Sequence, residues 1–124
     1  MTKEVTSPAA PAPRGRYSQA IRAGDLVFIS GQVPRDRDGR YTPASIGDET
    51  RRTLENLELI VDAAGGTLAD VVKVTAYLSD ADDFSEFDEA YAPFFPDAAP
   101  ARTTITAGLR EVKVEIDAIL FLQT

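Results

Sequence analysis

The stretch that decides the fold is Pro100-Ala-Arg-Thr-Thr-Ile-Thr-Ala-Gly-Leu-Arg-Glu-Val-Lys-Val-Glu-Ile-Asp117. It reads as two β-strands joined by a short turn. Pro100 can open a strand because no ladder donor is needed at that position. Thr and Ile carry β-propensity through Ala107, and Gly108 breaks the run. From Val112 onward apolar residues alternate with Lys113, Glu115 and Asp117, a period of two. The odd residue is Arg102. A guanidinium in an otherwise uncharged strand, two residues before Thr104 on the same face, is either a surface edge residue or a fixed anion clamp.

Upstream, residues 71–79 form a third main strand, with Val72, Val74, Ala76 and Leu78 on one side and Lys73, Thr75 and Tyr77 on the other. Between these strands lies a helix with Phe84, Phe87, Tyr91 and Phe94 at helical spacing, closed by Pro96. A stripe of that kind is core more often than a binding platform. An earlier helix starts at the capping box Ser45-x-x-Asp48. It continues through Leu54, Leu57, Ile60, Val61 and Ala64 and stops at Gly65-Gly66. Residues 17–23 and 26–30 read as a hairpin about Gly24-Asp25. Gly31 is expected to end its second strand, where a missing Cβ lets a backbone or a ligand approach. Residues 1–15, rich in Pro, Ala, Thr and Ser, are expected to be a flexible N-terminal tail. Residues 16–124 then make a single domain.

The order is β-β-α-β-α-β-β, an α+β architecture with two helices on one face of a mixed sheet. The other face carries Thr75, Tyr77, Glu115, Ile119 and Phe121, is half apolar, and has no cover from this chain. That predicts an oligomer.

Composition excludes several functions. The 124 residues contain no Cys and no His, so thiolate chemistry, the usual general base and the commonest metal ligands are missing. A net charge of −7 disfavours nucleic acid as a partner. No apolar run reaches the roughly 18 residues of a membrane span, and the start lacks the apolar core of a signal peptide. A cytoplasmic location is the default expectation.

Several segments together resemble the RidA (YjgF/Rid) family. They are Tyr17-Ser18-Gln19-Ala20 with Leu26 to Gln32, Thr50-Arg51 to Leu57, Val71 to Thr75, Pro100-Ala101-Arg102-Thr103, and Val114 to Ala118. The resemblance spans 16–122, and the ordered set carries it rather than any one motif. It implies a homotrimer of chorismate-mutase-like fold with clefts between subunits. The implied activity is cofactor-independent hydrolysis of reactive 2-enamine and 2-imino acids, of the 2-aminoacrylate type, to 2-keto acids and ammonia. The implied catalytic residues are Arg102, which grips the substrate carboxylate, Glu115, linked to water positioning, and Tyr17, donated across the interface. Gly31, Thr104 and Asp88 match substrate-binding positions.

The residues suit that chemistry on their own terms. The guanidinium fork matches a planar carboxylate bidentately. An iminium carbon is already electrophilic, so a positioned water suffices, and Glu115 can orient or deprotonate it. Structurally, Glu115 would otherwise be an ion-pair partner of a neighbouring subunit's Arg or Lys, and Tyr17 a packing aromatic. Departures from the family pattern are Arg16 for proline, Asp88 for asparagine, Thr104 for cysteine, and a turn before Glu115 about two residues shorter. Competing expectations are a non-catalytic trimer that holds a small carboxylate metabolite, a pathway-specific member of the family acting on another imine-like substrate, and RNA cleavage, which zero His and the acidic balance oppose.

Overall fold

The computed structural model describes residues 2–123. Six strands form one mixed sheet: β1 (Thr2–Val5), β2 (Ala20–Ala23), β3 (Leu26–Gln32), β4 (Val71–Leu78), β5 (Ala101–Thr106) and β6 (Val114–Phe121). Their spatial order is β1-β2-β3-β6-β4-β5. Two helices, α1 (Ile46–Ala63) and α2 (Phe84–Tyr91), lie on one face. This is the α+β mixed sheet expected from the pattern of periods.

Local chemistry sets most boundaries. Ser45 caps α1 by accepting from the Asp48 backbone N–H at 3.1 Å. The Asp48 side chain turns to Arg51 instead of completing a capping box. Gly65, at φ 88°, supplies the left-handed residue that ends the helix, and the Gly66 N–H bonds back to Val61 O. Leu54, Leu57, Ile60 and Val61 are fully buried against Val74, Ala76, Ile116, Ala118 and Leu120 of the sheet. Each such side chain contributes about 1.5–3 kcal/mol by leaving water.

Four expectations need correction. The strands on either side of Gly108 do not form a hairpin. β4 lies between them, parallel to β5 and antiparallel to β6, so residues 107–113 cross the end of β4. Ala107 N–H bonds to Leu78 O, and Ser79 N–H to Lys113 O, which ties that crossing down. In β4 an irregularity between Val71 and Lys73 buries Val71 and leaves Val72 exposed. Gly31 does not end β3; it sits inside it, at a bulge between Ile29 and Gln32.

The fourth correction concerns residues 1–15. Thr2–Val5 pairs antiparallel with β2 as an edge strand. The Gln19 side chain, buried beneath the segment that follows, accepts from Ser7 N–H at 2.6 Å and donates to Ser7 O and Pro11 O. Backbone groups of a polar, proline-rich segment thus find their partners in the domain. Composition alone carries no trace of such partners.

The face opposite the helices stays open. Leu26, Phe28, Ile105 and Phe121 on it are each about two-fifths exposed or more. No helix among the described residues is long and apolar enough to cross a membrane.

Candidate active site

The register of the sheet decides which side chains can meet. Arg102 pairs with the fully buried Val74, and Thr104 with Ala76, so both point to the helix side. Glu115 pairs with Tyr77 and points to the open side, as does Asp117 opposite Thr75. Within one chain, therefore, Arg102 and Glu115 lie on opposite faces of the sheet.

On the open side, a cleft of about 670 Å³ is lined by Tyr17, Gly31 and Glu115, with Arg14, Arg35 and residues 108–112 at its rim. Gly31 is required here by space. A Cβ at that position would overlap Glu115 Oε2 and lie 2.8 Å from Glu115 Cδ. The missing side chain is the room in which the carboxylate sits. Burial, and secondarily the negative charge of Asp117 two residues along the strand, raises the Glu115 pKa above the ordinary carboxylate value. No hydrogen bond or ion pair among the described residues holds this carboxylate, whereas Asp117 accepts from Tyr77 Oη at 3.0 Å. Tyr17 is half exposed, and its hydroxyl accepts from the Arg14 backbone N–H at 3.2 Å.

The rim is held from below. Glu49 of α1, 2% exposed, accepts from Tyr41 Oη at 2.7 Å, from the backbone N–H groups of Ala44 and Lys113, and from Lys113 Nζ at 3.2 Å. Burial alone would raise its pKa, but these donors outweigh it and the carboxyl is held below its usual range. Farther out, Arg35 pairs with Glu111 at 3.2 Å. Glu111 adopts φ 66°, a backbone conformation uncommon outside glycine.

On the helix side, Arg102 is neither a free edge residue nor an open clamp. Its guanidinium lies 4.5 Å from the Tyr91 ring centroid, 5.3 Å from Phe87 and 5.7 Å from Phe84. Nη1 donates to Asp88 Oδ1 at 2.8 Å. Arg102 and Asp88 open onto a separate cleft of about 370 Å³, shared with Tyr91, Phe95, Ala99 and Pro100. Thr104 lies two residues along the same face but does not line it.

The chain thus brings Tyr17, Gly31 and Glu115 together in one cleft and Arg102 and Asp88 together in another. Sequence reasoning missed the cage around Arg102, because the Phe84, Phe87 and Tyr91 stripe reads as core. It also missed Glu49 and Glu111, whose roles depend on contacts far along the chain. Among the described residues no cluster of His, Cys, Asp or Glu is placed to hold a metal ion.

Comparison with known proteins agrees with this arrangement of elements. The family described as Endoribonuclease L-PSP matches residues 7–121. A RutC family protein of Pyrococcus horikoshii is 43% identical over 124 residues, covering 98% of each chain. The 2-iminobutanoate/2-iminopropanoate deaminase of Escherichia coli is 34% identical over 124 residues, covering 96% of this chain and 97% of its own. The crystal structure of E. coli TdcF with bound serine matches with a TM-score of 0.92 at 34% identity, over 98% of this chain and 99% of that one.

Proposed function

Because the chain belongs to the endoribonuclease L-PSP family, also known as YjgF/RidA, we propose that it is an imine and enamine deaminase. Its substrates are short 2-imino acids, and it works as a homotrimer whose sites form where one subunit's Arg102 meets the next subunit's Tyr17, Gly31 and Glu115. The observation that carries this reading is the Glu115 carboxylate. Among the described residues it has no hydrogen-bond or ion-pair partner, and it stands half buried beside the gap left by Gly31, with its pKa raised. A carboxylate without a structural partner costs stability, and use in chemistry is the ready compensation. The open, half-apolar sheet face bordering it supports the assembly.

The steps follow from the residues. The Arg102 fork, desolvated and oriented by three rings, holds the substrate carboxylate. An enamine such as 2-aminoacrylate reaches the same point after taking a proton on carbon. Water attacks C2 of the protonated imine while Glu115 accepts a water proton. The resulting carbinolamine takes that proton on nitrogen. As the C–N bond breaks, the hydroxyl forms the carbonyl and gives its proton to Glu115; the departing ammonia takes that proton up, and ammonium and the 2-keto acid leave. Tyr17 supplies a hydroxyl at the mouth of the Glu115 cleft.

An RNA-cleaving role fits poorly with a chain of net charge −7 and no His. The test is the rate of imine decay when 2-iminopropanoate is generated in the cuvette from alanine by an amino-acid oxidase with catalase. Protein is expected to accelerate decay above the spontaneous rate, and Arg102→Ala to reduce kcat/KM at least 100-fold, the scale of a lost charge-assisted anchor. Saturable pyruvate binding with no acceleration would instead support a carboxylate-binding trimer.

A further inference from the structure

A clamp for a carboxylate needs only positive charge, yet Arg102 has a partner of the opposite sign. Asp88 reaches Arg102 from α2 at 2.8 Å with half its side chain still exposed, while Arg102 keeps 19%. Both face the 370 Å³ cleft. Tyr91 lines the same cleft, and its hydroxyl is buried with no hydrogen-bond partner. The guanidinium lies near enough to oppose the burial that raises the Tyr91 pKa, but no hydrogen bond of ordinary geometry joins them. A buried donor left over beside an anion clamp marks a place for a ligand oxygen.

Side by side, a guanidinium and a carboxylate complement a ligand that carries a carboxylate and a cation on adjacent carbons. The reactive form of a 2-imino acid is such a ligand: a C1 carboxylate next to a C2=NH2+ group. The 2-keto acid product keeps the carboxylate but has a carbonyl oxygen where the cation was. We propose that Asp88 is a specificity-determining residue that accepts a hydrogen bond from the protonated imine nitrogen while Arg102 holds the carboxylate. Tyr91 provides a further donor to that carboxylate. The inference rests on the deaminase reading above. Arg102 has five N–H donors, so its bond to Asp88 leaves others for the substrate. Asp88 favours the charged, electrophilic imine and disfavours the anionic product, whose carbonyl oxygen has no proton to donate.

The experiment compares wild type with Asp88→Asn, nearly the same shape without the charge. Turnover of 2-iminopropanoate, inhibition by pyruvate, and calorimetric binding of alanine and of pyruvate are measured together. The expected result has opposite signs. In the variant kcat/KM falls about tenfold and alanine binding weakens about as much, while pyruvate binds about threefold tighter or more. Tighter binding of both ligands would mean that Asp88 only repels anions, and the proposal is overturned. Unchanged or uniformly weaker binding overturns it as well. If wild type shows no turnover, the deaminase reading fails separately, and the alanine and pyruvate titrations still decide whether Asp88 distinguishes them. Asp88→Ala must move both ligands in the same directions, with circular dichroism melts confirming that each variant is folded.

Discussion

Glu115 and Arg102 illustrate what a single residue reveals before its surroundings are known. Arg102 stands out as the one charge in its strand, and Gly31 as a glycine where β-branched residues precede it. Their oddity is legible. Why Gly31 lacks a side chain is not, since the group that fills the space is 84 positions away along the chain. The Asp88 pairing is likewise hidden, because a strand-edge Arg has no sequence mark saying which helix will cover it. A prediction belongs at this scale. Burial and Asp117 raise the Glu115 pKa, and the proposed chemistry needs the ionised form. As pH falls, Glu115 takes up its proton early, so kcat/KM should decline with a midpoint above 4.5, the ordinary value for the side chain. A pH profile of imine decay checks this, and Asp117→Asn should move the midpoint down.

At the scale of elements, period and capping located both helices and all but the first of the strands. They could not say which strands are neighbours. Adjacent strands usually pair, which favours a β5–β6 hairpin, but the sheet inserts β4 between them. That arrangement sends the 107–113 connection across the sheet end, where it becomes the rim of the Glu115 cleft. Glu49 anchors the far end of this connection through Lys113. On the sequence it is one of several α1 acids; only the fold makes it a buried hub. Glu49→Ala should cost about 2–4 kcal/mol at pH 7, since it strands the donors of Tyr41, Ala44 and Lys113. Its folded pKa is depressed, so this contribution is complete above 4.5 and is lost as pH falls through the lower folded value. Urea titrations at neutral and acidic pH should therefore show the gap between wild type and variant closing in acid.

For the whole molecule, the decisive fact is the sidedness of the sheet. Helices cover the face bearing Arg102, the other face is open and half apolar, and Glu115 lies on it. Alternation along the strands made an uncovered face legible in advance. The edge strand Thr2–Val5 was not legible, because its stability comes from β2 and Gln19 rather than from its own residues. In the proposed function the two half-sites, on opposite faces of one chain, become one where copies of the chain assemble.

Subunit mixing tests that claim most directly. Arg102→Ala and Glu115→Gln are each prepared as near-inactive homo-oligomers, then unfolded together at equal amounts and refolded. A site shared between neighbouring subunits is intact when an unaltered Arg102 meets an unaltered Glu115, which random closed-ring assembly gives in about one site in four. Imine turnover should recover to about a quarter of the wild-type rate in the mixture, while either variant refolded alone stays inactive. Mixed oligomers with no more activity than the separate variants would contradict that claim.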